Sequence, residues 1–372
     1  MKIRSQFLKV ILGAVLLMCF AVIIGAQQIA EQDLSRLSPA LHSALYPEVM
    51  CAGCILPVWD HGYLLHVEID RDPAVVTMYD KNGKKVIEAR MEPADAAKVS
   101  IGSAGATRTG GIVAIGGGIM TDGSSQRFIA KSDPSGRIVQ SVRIGGDFYP
   151  QQVCEAGDDT VWILGYESTC RYDPDYREVS DDEKNVLRHY SFEKGLLGSF
   201  VSLDSISKSR DVSLQIAHPR KSFLRCGKDR VSVLLWTAGQ YIEVDTSSEK
   251  LTRWKVAVSS GPREKPSGFA VTEDGRSFVG LSDCCDQDKK MTRGLYELKA
   301  NAGTSVATLI PVEGTVTKFG PNETAPDGTF FDLWGVDGDE LVMQRQGDGR
   351  GLSWARVSAS VITADWSAGT PK

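Results

Sequence analysis

Short apolar runs, each followed by a polar, glycine-bearing turn and a second apolar run, recur along most of the chain. Thr77 to Val86 turns around Asp80-Lys81-Asn82-Gly83, and Ile129 to Ile138 turns around Asp133-Pro134-Ser135-Gly136. The pattern returns at Arg188 to Leu196, at Tyr241 to Leu251 and from Leu295 to Gly303. From Gly83 to Gly303 the copies are spaced by about 55 residues, and one more period reaches the apolar run Leu352 to Val357. Between these hairpins lies a second set: Val153 to Leu164 around Asp158-Asp159, Leu224 to Leu235 around Asp229, Phe269 to Leu281 around Asp274-Gly275, and Leu333 to Met343 around Asp337-Gly338. Two hairpins per period make four strands, and self-similarity at such a period marks an array of stacked or radial units. The count predicts an all-β, six-bladed β-propeller with four-stranded blades, whose closure leaves only short, protected edges.

Two segments depart from this pattern. Residues 27–46 carry Leu34, Leu37, Leu41 and Leu45 at near-helical spacing, which predicts a short helix leading into the first blade. Residues 167–186, rich in Asp, Glu, Tyr and Arg, lengthen the third unit and predict an exposed loop. At the N-terminus Lys2, Arg4 and Lys9 precede an uncharged apolar run from Val10 to Ala26, the layout of a secretory signal. Export to a periplasmic or extracellular space is the expectation, with cleavage after Ala26. Retention of residues 10–26 as a membrane anchor and lipidation at Cys19 are the alternatives. The organisation then reads 1–26 signal peptide, 27–56 lead-in segment, 57–366 propeller and 367–372 tail.

Composition narrows the partners. The formal net charge is -5 with acids and bases interspersed, which argues against nucleic acid as a ligand. Past the N-terminal run no stretch is long and apolar enough to span a bilayer, so membrane contact is expected only through an uncleaved N-terminal segment. The 37 glycines, many beside Asp or Asn, fit a chain of short strands and tight turns.

The stretch Pro266-Ser267-Gly268-Phe269-Ala270-Val271-Thr272-Glu273-Asp274-Gly275-Arg276-Ser277-Phe278-Val279 resembles the repeat core of six-bladed propellers of the NHL/TolB-like type. Residues 147–165 and 219–235 are weaker copies, with Pro150 and Pro219 placed as Pro266 is, and the usual Asp, Asn and Arg-Ile continuation is missing. The resemblance implies a fold rather than an activity. It also implies one form of enzyme, a metal-assisted hydrolase or lactonase holding calcium in the central channel, although no Glu, Asn and Asp trio can be placed there from the sequence.

Candidate chemistry begins with cysteine. Seven follow the N-terminal run: Cys51, Cys54, Cys154, Cys170, Cys226, Cys284 and Cys285. In an oxidising compartment these are disulfide candidates, and an odd number leaves at least one unpaired. Cys51-Ala52-Gly53-Cys54 has redox-motif spacing, but Pro57 follows closely and no helix start is evident to lower a thiol pKa, so a structural role is expected. A zinc set of Cys51, Cys54, His61 and His66 has too short a gap for a finger. Cys284-Cys285 follows the strand ending near Leu281 and is expected to point two ways. Gly110-Gly111 and Gly116-Gly117-Gly118 lack the Lys-Ser or Lys-Thr of a phosphate loop and read as tightly packed inner strands. No G-x-S-x-G nucleophile elbow occurs.

Geometry then supplies the candidate ligand-binding residues. Those expected just before an innermost strand ring the channel mouth: Asp60, His61, Tyr149, His218, Arg220, Arg263 and Lys265. His218, Arg220 and Lys265 would favour a carboxylate or phosphate. The functional expectation is a module that binds a small molecule or protein partner. The hydrolase stands as its alternative, and calcium is the cofactor only in that case.

Overall fold

The structure, a computed structural model, describes residues 30–32, 58–68, 74–81, 83–146, 148–157, 159–167, 185–206, 221–257, 264–283, 291–300, 303–320, 323, 325–326, 328–346 and 352–359. After β1 (Ala30–Gln32), the chain runs as successive antiparallel meanders. The first is β2 (Val58–Asp60), β3 (Tyr63–Glu68), β4 (Val75–Tyr79) and β5 (Lys85–Arg90). Next come β6 (Ala96–Ala106), β7 (Ile112–Met120), β8 (Ser125–Ser132) and β9 (Ile138–Ile144). They are followed by β10 (Phe148–Glu155), β11 (Val161–Glu167), β12 (Asn185–Ser191) and β13 (Gly195–Ser202).

Past a single helical turn at Leu203–Ile206 lie β14 (Ser222–Cys226), β15 (Arg230–Leu235), β16 (Gln240–Asp245) and β17 (Leu251–Ala257). Then come β18 (Glu264–Val271), β19 (Ser277–Asp283), β20 (Met291–Ala300), β21 (Val306–Pro311) and the short β22 (Thr317–Phe319). The last group is β23 (Phe330–Asp337), β24 (Glu340–Gln346) and β25 (Leu352–Ser358).

Ring closure is visible in how the first strands of these groups meet. β2 packs on β6, β6 on β10, β10 on β14, β14 on β18 and β18 on β23. β23 returns to β2 in parallel at Trp59↔Gly335. β1 adds an N-terminal edge to the last strand, Ala30↔Arg356 to Gln32↔Trp354, so the two ends of the described chain share one sheet. The fold is all-β and propeller-like, a near-closed sheet fastened by strands from both ends. Ala30–Gln32 is therefore strand where a helix was expected, because its backbone finds an unpaired edge on β25. The rest of the expected helix, the signal segment and the tail lie outside the described residues, as do residues 168–184 of the expected loop.

Period-two burial explains the apolar runs. Along β11, Val161 and Ile163 pack toward β7 to β9, while Trp162 and Leu164 pack toward β14 to β16. Along β7, Ile112 and Ala114 face the β3 to β5 side, and Val113 and Ile115 face β10. Successive side chains point to opposite faces of a strand, and here both faces are covered. Each fully buried core side chain contributes about 1.5–3 kcal/mol.

The expected hairpins fall on β4–β5, β8–β9, β12–β13, β16–β17 and β20–β21. Gly83, Gly136, Gly195 and Gly303 sit in their turns with φ of 75°, 81°, 76° and 81°, values that favour glycine. The preceding acid completes several of them: Asp80 Oδ1 accepts the Lys84 N–H at 2.9 Å, and Asp133 Oδ1 that of Ser135 at 2.9 Å. Gly116 and Gly118 lie in β7, the second strand of its group rather than the innermost. A Cβ on them would come within 2.5 Å of the Ser100 carbonyl and 2.2 Å of the Lys98 carbonyl. Close approach of β6 is their role.

Candidate functional site

The hairpin β2–β3 closes in two residues, with Asp60 opposite Tyr63. A connection that short uses a primed turn with positive φ at both central positions. His61 (φ 48°) and Gly62 (φ 79°) supply it. Histidine is costly there, since a side chain in the left-handed region costs about 1–2 kcal/mol. Such strain tends to collect at functional positions.

Asp60 and His61 are mostly enclosed, at 16% and 19% side-chain exposure, and His61 Nδ1 lies 3.0 Å from Asp60 Oδ1. The ring N–H is poorly aligned with that oxygen, so the contact is chiefly ionic. Asp60 Oδ2 accepts the Ala106 N–H at 3.0 Å across to the end of β6. Gly105 makes this approach possible: a Cβ there would sit 3.1 Å from Asp60 Oδ2 and 3.3 Å from the Val153 carbonyl.

Two further inner-strand ends, those of β10 and β14, converge on this turn. Glu155, fully buried at the end of β10, accepts the Arg108 N–H at 2.8 Å on Oε2 and pairs with Lys131 Nζ at 2.6 Å through Oε1. Arg225, next to last in β14, donates from Nη1 to its neighbour's carbonyl, Leu224 O, at 2.7 Å. Its Nε is shut off from solvent with no partner among the described residues. A disulfide, Cys154–Cys226, ties the ends of β10 and β14 together with Cα atoms 5.6 Å apart, immediately beside Glu155 and Arg225.

The charges act on one another. Burial alone would raise the Asp60 carboxyl, but the charge of His61, that of Arg225 and the Ala106 N–H outweigh it and hold the pKa below its ordinary value. Asp60 in turn raises the His61 pKa against burial and Arg108, with Glu155 assisting. For Arg225, burial lowers the pKa and Asp60 opposes that shift.

The expected mouth residues separate. Asp60 ends the innermost strand and His61 follows it; neither precedes it, because the three-residue β2 comes before the longer β3. Tyr149 is the second residue of β10, six positions before Glu155 and hence about 20 Å away at strand spacing. There it stacks on Tyr166 at 5.7 Å with Arg127 3.6 Å over its ring. Lys265 lies near the start of β18, away from the Asp60 end. His218, Arg220 and Arg263 lie outside the described residues, as do Cys51, Cys54, Cys170, Cys284 and Cys285. Arg108, Glu155 and Arg225 were not singled out by the sequence. The only signal was position: Glu155 and Arg225 flank the two cysteines that pair.

Among the described residues, no group of three or more His, Cys, Asp and Glu is arranged to hold a metal ion. No described helix is long and apolar enough to cross a membrane. The disulfide is consistent with an oxidising compartment.

No protein-family model matches the chain. No curated protein matches it. Among solved structures it is similar to a Mycobacterium tuberculosis puromycin-hydrolysing peptidase, at 13% identity and TM-score 0.43, over 82% of this chain and 44% of that one. It is similar to Kuenenia stuttgartiensis hydrazine synthase at 11% identity and TM-score 0.41, over 87% and 81%. A third similarity is to the β-propeller domain of the Trilobed protease from Pyrococcus furiosus, at 11% identity and TM-score 0.40, over 81% of each chain. The chain thus spans less than half the length of the peptidase.

Proposed function

We propose that the chain is an exported, six-bladed propeller of the NHL/TolB-like type, serving as a binding module whose ligand sits where β2, β6, β10 and β14 end. The observation that carries the reading is the convergence of Asp60, His61, Arg108, Glu155 and Arg225 from separate inner-strand ends, with one buried guanidinium nitrogen left without a partner. Convergent polar groups on a closed scaffold are the usual makings of a small-molecule site. The closed sequence of inner-strand contacts supports the blade count, and the N-terminal apolar run and the disulfide support export. Tyr149 and Lys265 belong to the opposite rim and are not part of this site.

Thermal-shift screening of the exported protein against small polar molecules tests the reading. A true ligand raises the Tm of the wild type, since a ligand at 100 times its Kd stabilises by about 2.7 kcal/mol. The shift should be much smaller in His61→Asn and Arg108→Ala. Equal shifts in all three proteins would place the ligand elsewhere. Turnover of lactone or peptide substrates that Asp60→Asn abolishes would make the site an enzyme's.

A further inference from the structure

We propose that this end of the propeller axis binds a small monocarboxylate, its two oxygens shared between the Arg225 guanidinium and the His61 ring. The inference rests on the binding reading above and names the ligand class.

It follows from where each charge is already spent. Glu155 is committed to Lys131 and to the Arg108 N–H. Asp60 is committed to the Ala106 N–H and to His61. Arg225 feels the Asp60 charge, but among the described residues its hydrogen bonds reach only its neighbour's carbonyl from Nη1, and its Nε has no acceptor. A shielded guanidinium nitrogen without an acceptor is costly unless something fills the role. Arg108 is exposed, forms no ion pair among the described residues and adds a second uncommitted cation.

A guanidinium accepts carboxylate and phosphate alike, so the charge balance selects between them. The fixed charges, Arg225 and Arg108 against Asp60 once Lys131 and Glu155 cancel, leave a surplus of one positive charge, to which protonated His61 adds a second. A dianion would also face the Asp60 carboxylate at close range. The groups around His61 are Asp60 on its own strand, Arg108 from the β6–β7 turn, Glu155 from β10, Arg225 beyond Asp60, and Asp337 from β23, which abuts Gly62. Asp337 is itself paired with Arg356, so these neighbours together with Lys131 keep the single surplus positive charge, and the state of the ring decides how strongly an anion is held.

Isothermal titration with propionate, inorganic phosphate, the dipeptide Ala-Ala and its C-terminal amide tests this at pH 6.0 and 8.5. Propionate or free Ala-Ala should bind at pH 6.0, with phosphate and the amide at least tenfold weaker. Propionate binding with or without that of the dipeptide marks free organic acids as the source; dipeptide binding alone marks peptide C-termini. Arg225→Gln should weaken binding at least tenfold and Arg108→Ala about threefold, the latter guarding against misfolding of the former. Raising the pH to 8.5 should weaken the wild type but not His61→Asn. Unchanged affinity in Arg225→Gln and Arg108→Ala, or phosphate binding as well as the carboxylates, overturns the proposal. A neutral ligand whose binding depends on His61 and Arg108 would keep the site and overturn the anion. Binding insensitive to every variant would overturn both.

Discussion

At one turn of the repeat the expected glycine is Glu249, and its replacement separates two opposing energies. Glu249 holds φ 54° where Gly83, Gly136, Gly195 and Gly303 hold 75° to 81°. Its Oε1 lies 2.9 Å from Nδ1 of His189 on the neighbouring group of strands. A carboxylate only accepts, so Nδ1 carries the proton. His189 is 4% exposed and stacks on Trp162 with centroids 4.2 Å apart and planes 10° from parallel. Glu249→Gly relieves about 1 kcal/mol of left-handed strain. It also strands a buried donor, at a cost of about 1–3 kcal/mol.

In the wild type the net effect should be a loss of about 1 kcal/mol. In a His189→Phe background, where the stack survives and the donor is gone, the same change should gain about 1 kcal/mol. The coupling from the double-mutant cycle is then about 2 kcal/mol, within the range for residues in contact. Urea unfolding of the four proteins at one pH measures it through midpoints at constant m. An effect of Glu249→Gly that is the same in both backgrounds would refute the account, leaving the strained glutamate unexplained by His189.

Three other outcomes are expected. Replacing Cys154 and Cys226 together by Ala opens a link across 72 residues; chain entropy sets the loss at about 4 kcal/mol, or about 6 °C in Tm for a unit of roughly 300 residues, and a drop below about 2 °C in calorimetry would deny the bond that weight. Phe269→Ala, at a fully buried position between β14–β17 and β18–β21, should cost about 3–5 kcal/mol by chemical denaturation, and a loss under about 1 kcal/mol would contradict the packing. Because the folded pKa of His61 is raised above 6.5, its pairing with Asp60 stabilises fully below about pH 6.5 and is lost as pH rises through the folded pKa; the Tm difference between wild type and His61→Asn should shrink over that interval, and a difference that grows with pH would reverse the assignment.

What was legible in the sequence is what repeats. The glycine-bearing turns sit at positive φ in one hairpin of successive groups, and strands buried on both faces read as continuous apolar runs, so both left a periodic trace. The Pro266 to Val279 stretch forms a β18–β19 hairpin like β10–β11 and β14–β15, where only weaker copies of it stand, so it speaks for the repeat and not for a family type. The three-residue strands escaped notice: Val58–Asp60 and Thr317–Phe319 are too short to establish an alternation, and Ala30–Gln32 is a strand because β25 offers it an edge.

Missing β2 had a consequence for the site. Expecting Asp60 and His61 ahead of the innermost strand placed them at the same rim as Tyr149 and Lys265, whereas they close it. The partners that give them chemistry come one per inner strand: Arg108 after β6, Glu155 at the end of β10, Arg225 near the end of β14. Along the chain each is a single charged residue at or just past a strand end, indistinguishable from solvated surface. Ring closure alone brings them together, and it does so at one depth because the first strands of successive groups all run the same way. Any charge placed near the end of one such strand therefore faces those at the ends of its neighbours. No contiguous motif therefore marks this site, and the residues worth altering first are those at matching strand ends, Arg225 foremost among them.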